Sequence, residues 1–168
     1  MASFLQNEVV RHIQTVVKTT FSLFVVGCAT LIAAETPGVD FYSAKDLQAM
    51  GQKLAQKGSP FASQDLARYG NHYFLLAERE ATGSSELHEH EADVFVIETG
   101  SAVLVTGGKI VNPHTQKPGE IRGTTIEGGE KHSVSAGDII HIAAGTPHQL
   151  LIEKGRSFTY FVVKVTNQ

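Results

Sequence analysis

From Asn71 onward the chain alternates short apolar runs with glycine pairs and polar turns. Nine such runs follow one another with no helical pattern between them, beginning with HYFLLAER and ending with FTYFVVKV. Short strands at close spacing are typical of a β-sandwich or β-barrel. The pattern therefore predicts an all-β domain over residues 71–168. The runs DVFVIET and SAVLVT predict two separate strands on either side of Gly100. The pattern also predicts a hairpin turn at Gly107 and Gly108, since both glycines can take positive φ, and a polar loop over residues 112–120.

A different pattern precedes the strands. Ser43 can cap a helix whose apolar face holds Leu47 and Leu54 at helical spacing. Residues 59–70 are rich in turn formers, and the stretch DLARYG within them is compatible with one further helical turn. Residues 35–70 are thus predicted to form a helical and irregular N-terminal extension.

The pattern of the first 34 residues predicts a leader segment. Arg11 and Lys18 precede a stretch of 16 residues without charge, which ends in small side chains. This is the pattern of a signal peptide, and the apolar run is shorter than the roughly 20 residues of a membrane span. We expect cleavage near Ala34 and a secreted or periplasmic protein. Two alternatives stay open: an uncleaved membrane anchor, and a lipoprotein lipidated at Cys28.

The charge and the cysteine content of the chain limit which partners and which chemistry are expected. Charged residues make up 18% of the chain, the net charge is −3, and no run of lysine and arginine could follow a phosphate backbone. Nucleic acid is therefore not an expected partner, and neither is the membrane once the leader is removed. Cys28 is the single cysteine, so the mature chain has no thiol for catalysis or disulfides.

His88 and His90 are the first candidates for chemistry. They are two residues apart in a strand-like run, so in a regular strand both side chains leave the same face. Two imidazoles at this spacing can converge on one metal ion. By itself the pair is weak evidence, because histidines are common on half-exposed strands.

Two longer segments carry a resemblance to a known family. The segments Gly83 to Gly100 and Gly137 to His148 are similar to the two motifs of the cupin superfamily. The second keeps the spacing throughout, with Ala143 where the family usually has proline. The first departs from it, with four residues rather than five before His88 and with aspartate rather than glutamate as the carboxylate.

The resemblance implies a fold and a ligand set. The fold is a double-stranded β-helix, a jelly roll with its metal inside the barrel. The implied ligands are His88, His90 and His148, with Asp93 as the carboxylate. Such a set suits Fe, Mn, Zn or Ni better than Ca or Mg. Relatives commonly pair, so a homodimer is also implied.

Two further residues are candidate catalytic groups. Glu86 shares a face with His88 if the strand is regular, so it is either a general base or part of the barrel mouth. His141 could move protons if it points inward, but Ile140 and Ile142 are the more natural core pair on that strand. Phe95 and Ile97 share the face of Asp93 and are expected to form the apolar wall of the pocket.

Two classes of function follow. The first is a metal-dependent enzyme acting on a small molecule, of the dioxygenase, decarboxylase, isomerase or lyase type found among cupins. The second is a protein that binds a metal or a small ligand without turnover. Open coordination positions favour the enzyme, but the fold alone names no reaction.

Overall fold

A computed structural model describes residues 38–168, so the predicted leader and Cys28 lie outside the described residues. The described chain has one helix, α1 (Ala44–Ala55), followed by twelve strands. The strands are β1 (Phe61–Arg68), β2 (His72–Arg79), β3 (Ser85–His88), β4 (Glu91–Thr106), β5 (Lys109–Val111), β6 (His114–Lys117), β7 (Glu120–Gly123), β8 (Thr125–Glu127), β9 (Glu130–Ser135), β10 (Ile139–Ile142), β11 (His148–Leu151) and β12 (Phe158–Thr166). No helix within residues 38–168 combines the length and hydrophobicity of a membrane span.

Strand β4 links two layers of antiparallel strands. Its first half pairs with β12 and β10, and its second half pairs with β9 and β11. Strands β1 and β2 extend the first layer beyond β12, and β3, β7 and β6 extend the second layer beyond β11. The sequence predicted two strands here, but the chain continues through Gly100, which has a φ of +82°. A Cβ at Gly100 would lie 2.1 Å from the carbonyl oxygen of Ser157, so only glycine fits this bend.

The core lies between the two layers. Its buried members come from both halves of β4 and from the strands that pair with them. They include Phe95, Ile97, Leu104, Ile142, Leu150, Phe158, Tyr160 and Val162. The predicted all-β jelly roll is confirmed. Phe95 and Ile97 are both buried, but of the two only Phe95 lines the cavity described below, so Ile97 does not belong to the pocket wall as expected.

The helix packs on the outside of the first layer. Ser43 caps it, accepting a hydrogen bond of 3.2 Å from the backbone amide of Asp46. Leu47 and Leu54 of α1 form a second apolar cluster that includes Leu76 of β2. The capped helix predicted from the sequence is therefore present, and Leu54 keeps only 2% of its surface exposed.

Three local predictions were wrong. DLARYG does not form a helical turn, because residues 61–68 pair as β1 with the edge of β2. Gly107 and Gly108 do take positive φ, but β5 leaves β4 and pairs with β8, so the expected hairpin is absent. The loop predicted over residues 112–120 contains β6, which pairs with β7. In each case a distant partner strand supplies hydrogen bonds that local sequence does not indicate.

Candidate metal centre

Two strands of the second layer bring three ligand groups together. Glu86 and His88 are two residues apart on β3, so their side chains leave the same face. His148 opens β11 and pairs directly with Glu86 in the sheet. Ligand atoms of Glu86, His88 and His148 all lie within 4.8 Å of one another. The second motif and the first thus meet because β3 and β11 are neighbours.

Strand β4 adds a second carboxylate from the opposite layer. Asp93 Oδ2 lies 3.4 Å from His148 Nε2 and 3.7 Å from His88 Nε2. Glu86 lies 3.5 Å from His88 Nε2 and 4.0 Å from His148 Nε2. Atoms that share one ion at about 2.0–2.2 Å stand roughly 3–4 Å apart. Glu86, His88 and His148 therefore fit one metal ion by spacing, and Asp93 lies beside the two imidazoles.

His148 is oriented for such a role. Its Nδ1 lies 3.0 Å from the carbonyl oxygen of Thr146. A carbonyl can only accept, so Nδ1 carries the proton and Nε2 presents its lone pair to the interior. That Nε2 is buried and has no hydrogen-bond partner among the described residues. Metal-binding histidines are commonly held in this way by a carbonyl on their second nitrogen.

Both carboxylates are held in their ionised form. Burial alone would raise the pKa of Glu86, but its contacts with His88 and His148 and the charges of Arg122 and Lys164 bring that pKa well below its usual range. Burial likewise acts to raise the pKa of Asp93, while interactions with His148 and Lys164 lower it overall. Ionised carboxylates next to imidazole nitrogens make a donor set for a divalent cation.

Two arginines surround Glu86. Arg122 Nη1 lies 2.6 Å from Glu86 Oε2 and its guanidinium also binds Glu120. Arg79 donates to the hydroxyl of Tyr160 at 2.9 Å and lies 3.6 Å from Glu86. The motif glycine, Gly83, makes room for this arrangement, because a Cβ there would lie 2.4 Å from Arg79 Nη1.

Lys164 is the unexpected member of the centre. It belongs to β12, directly opposite Asp93 in the sheet. Its Nζ lies 2.6 Å from Asp93 Oδ1 and 2.7 Å from His88 Nε2. Lys164 was missed at the level of sequence. A signal for it existed, since it continues the inward-facing register of β12 after Tyr160 and Val162.

The centre opens into a cavity of about 630 Å³. Phe95 and Val162 contribute apolar wall, and the ring of Phe95 lies edge-on to His148 at 6.4 Å between centroids. The charged side chains that line it are four cations and four carboxylates: Arg79, Lys117, Arg122, Lys164, Glu86, Glu91, Asp93 and Glu120. A cavity of this size accommodates a small molecule.

Two sequence candidates are not brought to the centre. β3 ends at His88, so His90 lies in the bend before β4 and is exposed rather than sharing the face of His88. His141 pairs with Val94 on the outer face of its strand and is exposed, while Ile142 opposite Asp93 is buried. Glu86, a candidate base in the sequence, instead lies among the ligand groups. The structure thus brings Glu86, His88 and His148 together, with Asp93 beside them, and places His90 outside this cluster.

Comparison with known proteins supports the fold. No protein family model and no curated protein matches the sequence. Among solved structures, the chain is similar to an uncharacterised conserved protein with a double-stranded β-helix domain from Klebsiella pneumoniae, with a TM-score of 0.53, 13% identity, and coverage of 77% of this chain and 92% of that one. It is also similar to BH2720 from Bacillus halodurans, with a TM-score of 0.52, 16% identity, and coverage of 79% and 85%.

A third similar structure is TT1209 from Thermus thermophilus, with a TM-score of 0.52, 14% identity, and coverage of 77% of this chain and all of that one, 100%. At such low identities the likeness concerns the fold alone. The chain has a double-stranded β-helix fold, so the fold that the two motifs implied is confirmed.

Proposed function

We propose that this protein binds one divalent transition metal ion through Glu86, His88 and His148, with Asp93 beside them, and binds a small molecule in the adjoining cavity. The observation that carries the proposal is the convergence of two buried imidazoles and two ionised carboxylates at the cavity wall. A mixed nitrogen and oxygen donor set suits Fe, Mn, Zn or Ni. The unpartnered Nε2 of His148 supports the same assignment.

The proposal that the protein is an enzyme rests on the coordination positions that the protein ligands would leave open. Three or four protein ligands leave coordination positions open toward the cavity, and a metal in such a site supplies Lewis-acid or redox chemistry to a bound molecule. Phe95 and Val162 exclude water from one side, while Arg79 and Arg122 hold Glu86 in place. We therefore propose a metal-dependent enzyme of the dioxygenase, decarboxylase, isomerase or lyase type.

The charges that line the cavity indicate which charge the bound molecule should carry. Its four cations and four carboxylates balance, so a divalent ion would leave an excess of two positive charges in a partly enclosed space. Such a site favours an anion over a neutral molecule. We propose a small anionic compound, for example a carboxylate, as the bound molecule.

Binding without turnover is the second candidate. It is favoured by the ion pairs of the centre, since Glu86 is paired with Arg122 and Asp93 with Lys164. A carboxylate that is held in its ionised form by a fixed cation is a poor general acid, and no other described carboxylate approaches the two imidazoles.

Metal analysis of the purified protein tests the proposal. We expect one metal ion per chain by elemental analysis and calorimetry, with His148→Ala abolishing it and His141→Ala, an exposed histidine outside the centre, leaving it unchanged. Absence of metal binding by the parent protein would refute the metal site. Activity lost on chelation and restored by one metal would favour the enzyme over the binding protein.

Export is a separate proposal, supported by the sequence pattern of the first 34 residues. Intact mass of the protein from a secreting host should give a chain that begins near Glu35, and a mass retaining Met1 in soluble protein would contradict it. A lipid-modified chain beginning at Cys28 would support the lipoprotein alternative. Native mass measurement of the same sample tests the expected homodimer.

A further inference from the structure

Lys164 places a positive charge where the ligand groups converge. Its Nζ contacts both Asp93 Oδ1, at 2.6 Å, and His88 Nε2, at 2.7 Å. Only 11% of its side chain is exposed. An ammonium has donors and no acceptor, so it donates to the same Nε2 lone pair that a metal ion would need.

The ammonium and a metal ion cannot occupy this position together. A metal bound to His88 Nε2 would lie about 2.0–2.1 Å along the lone pair, inside the present distance of 2.7 Å to Lys164 Nζ. The two cations would also repel each other strongly, because the repulsion between a divalent ion and an ammonium grows as their separation falls in a poorly solvated interior.

We propose that Lys164 is an internal cation that holds the place of the metal and must withdraw before the ion binds; this inference rests on the metal site proposed above. In the metal-free protein the ammonium neutralises Asp93 and keeps the buried carboxylate compatible with the fold. Metal binding then exchanges one cation for another, so the affinity for metal is set by the competition rather than by the ligands alone.

The fold offers a place for the displaced ammonium. Glu91 lies two residues before Asp93 on β4, so both side chains leave the same face of the strand. Its carboxylate lines the same cavity and accepts a hydrogen bond of 3.3 Å from the hydroxyl of Tyr73. Lys164 can therefore exchange one carboxylate for another without leaving the barrel.

Calorimetric titration with Zn(II) and with Mn(II) tests the inference. We expect Lys164→Met to bind each ion about 10 to 100-fold more tightly than the parent, the range by which residues around a metal centre commonly change affinity. Lys117→Met is the matched control, because Lys117 lines the same cavity but pairs with Glu120 at 3.1 Å. It should change the affinity little. Circular dichroism confirms folding, and Lys164→Gln replaces the methionine variant if that variant does not fold.

The outcomes separate the two proposals. Tighter binding in the Lys164 variant but not in the Lys117 variant supports the competition. Equal affinity in the parent and the Lys164 variant overturns the inference and leaves the metal site intact. Weaker binding in the variant overturns it as well, since Lys164 would then assist the ion. If neither protein binds either ion, both the metal site and the competition are refuted.

Discussion

The Nδ1 nitrogen of His148 donates a hydrogen bond of 3.0 Å to the carbonyl oxygen of Thr146, and the opposite nitrogen is buried in the interior without a hydrogen-bond partner among the described residues. Thr146 lies two residues before His148 in the turn that ends the second motif. The turn therefore does more than connect two strands, because its backbone fixes the tautomer and the direction of the imidazole.

The first prediction separates the ligand set of the structure from the one implied by the motifs. His88→Ala and His148→Ala should each abolish metal retention, because each removes a nitrogen that converges on the centre. His90→Ala should retain metal, since His90 is exposed in the bend after β3. Elemental analysis after gel filtration measures the outcome. Loss of metal from His90→Ala would show that the three-histidine set implied by the motifs is the working one.

The second prediction concerns the ion pair of Asp93 and Lys164. Asp93→Ala in the metal-free protein should lower the free energy of unfolding by about 3 kcal/mol, because it leaves a largely buried ammonium without its carboxylate. The double variant Asp93→Ala, Lys164→Met should lose less than the sum of the two single changes. Urea denaturation at neutral pH measures all four proteins. Strict additivity would mean that the two side chains do not interact.

The third prediction is a pH dependence at Glu78, far from the metal centre on the outer face of β2. Burial raises the pKa of Glu78 above its ordinary value of 4.5, although Thr159 donates a hydrogen bond to it. Its other oxygen is buried without a hydrogen-bond partner. Because the folded protein holds this proton more tightly than the unfolded chain does, the stability it contributes is present below pH 4.5 and is lost as the pH rises through the folded pKa.

Glutamine does not titrate, so the free energy of unfolding of Glu78→Gln should rise relative to that of the parent protein as the pH rises. The expected relative rise between pH 4 and pH 7 is about 1–3 kcal/mol. Urea unfolding at several pH values makes the comparison. A Glu78→Gln curve parallel to that of the parent would contradict the assignment.

The fourth prediction uses two glycines with similar backbones and different surroundings. Gly100 has φ +82° and Gly137 has φ +93°, so an alanine at either position is strained by about 1–2 kcal/mol. A Cβ at Gly100 also meets the carbonyl of Ser157 at 2.1 Å, whereas a Cβ at Gly137 meets nothing within 4 Å. Gly100→Ala should therefore lower the melting temperature clearly more than Gly137→Ala. Equal losses would show that the bend of β4 adapts.

Several features could be predicted because they depend on local sequence. The apolar runs HYFLLAER and FTYFVVKV coincide with β2 and β12, and the cap at Ser43 marks the start of α1. The spacing of the motif glycines and of His148 carried the resemblance that implied a double-stranded β-helix, and the structure has this fold. These features could be predicted from the sequence because each depends on residues that are close together in the chain.

Only the tertiary structure decided which side chains share the centre. The pairing of β3 with β11 brings Glu86 beside His148, and the pairing of β4 with β12 brings Lys164 onto Asp93. The end of β3 at His88 removes His90, although the sequence spacing of the two histidines suggested a pair. Strand pairing joins residues far apart in the chain through backbone hydrogen bonds, and these bonds are the same for every residue type. The sequence alone therefore determined the strands, and the tertiary structure determined which strands pair.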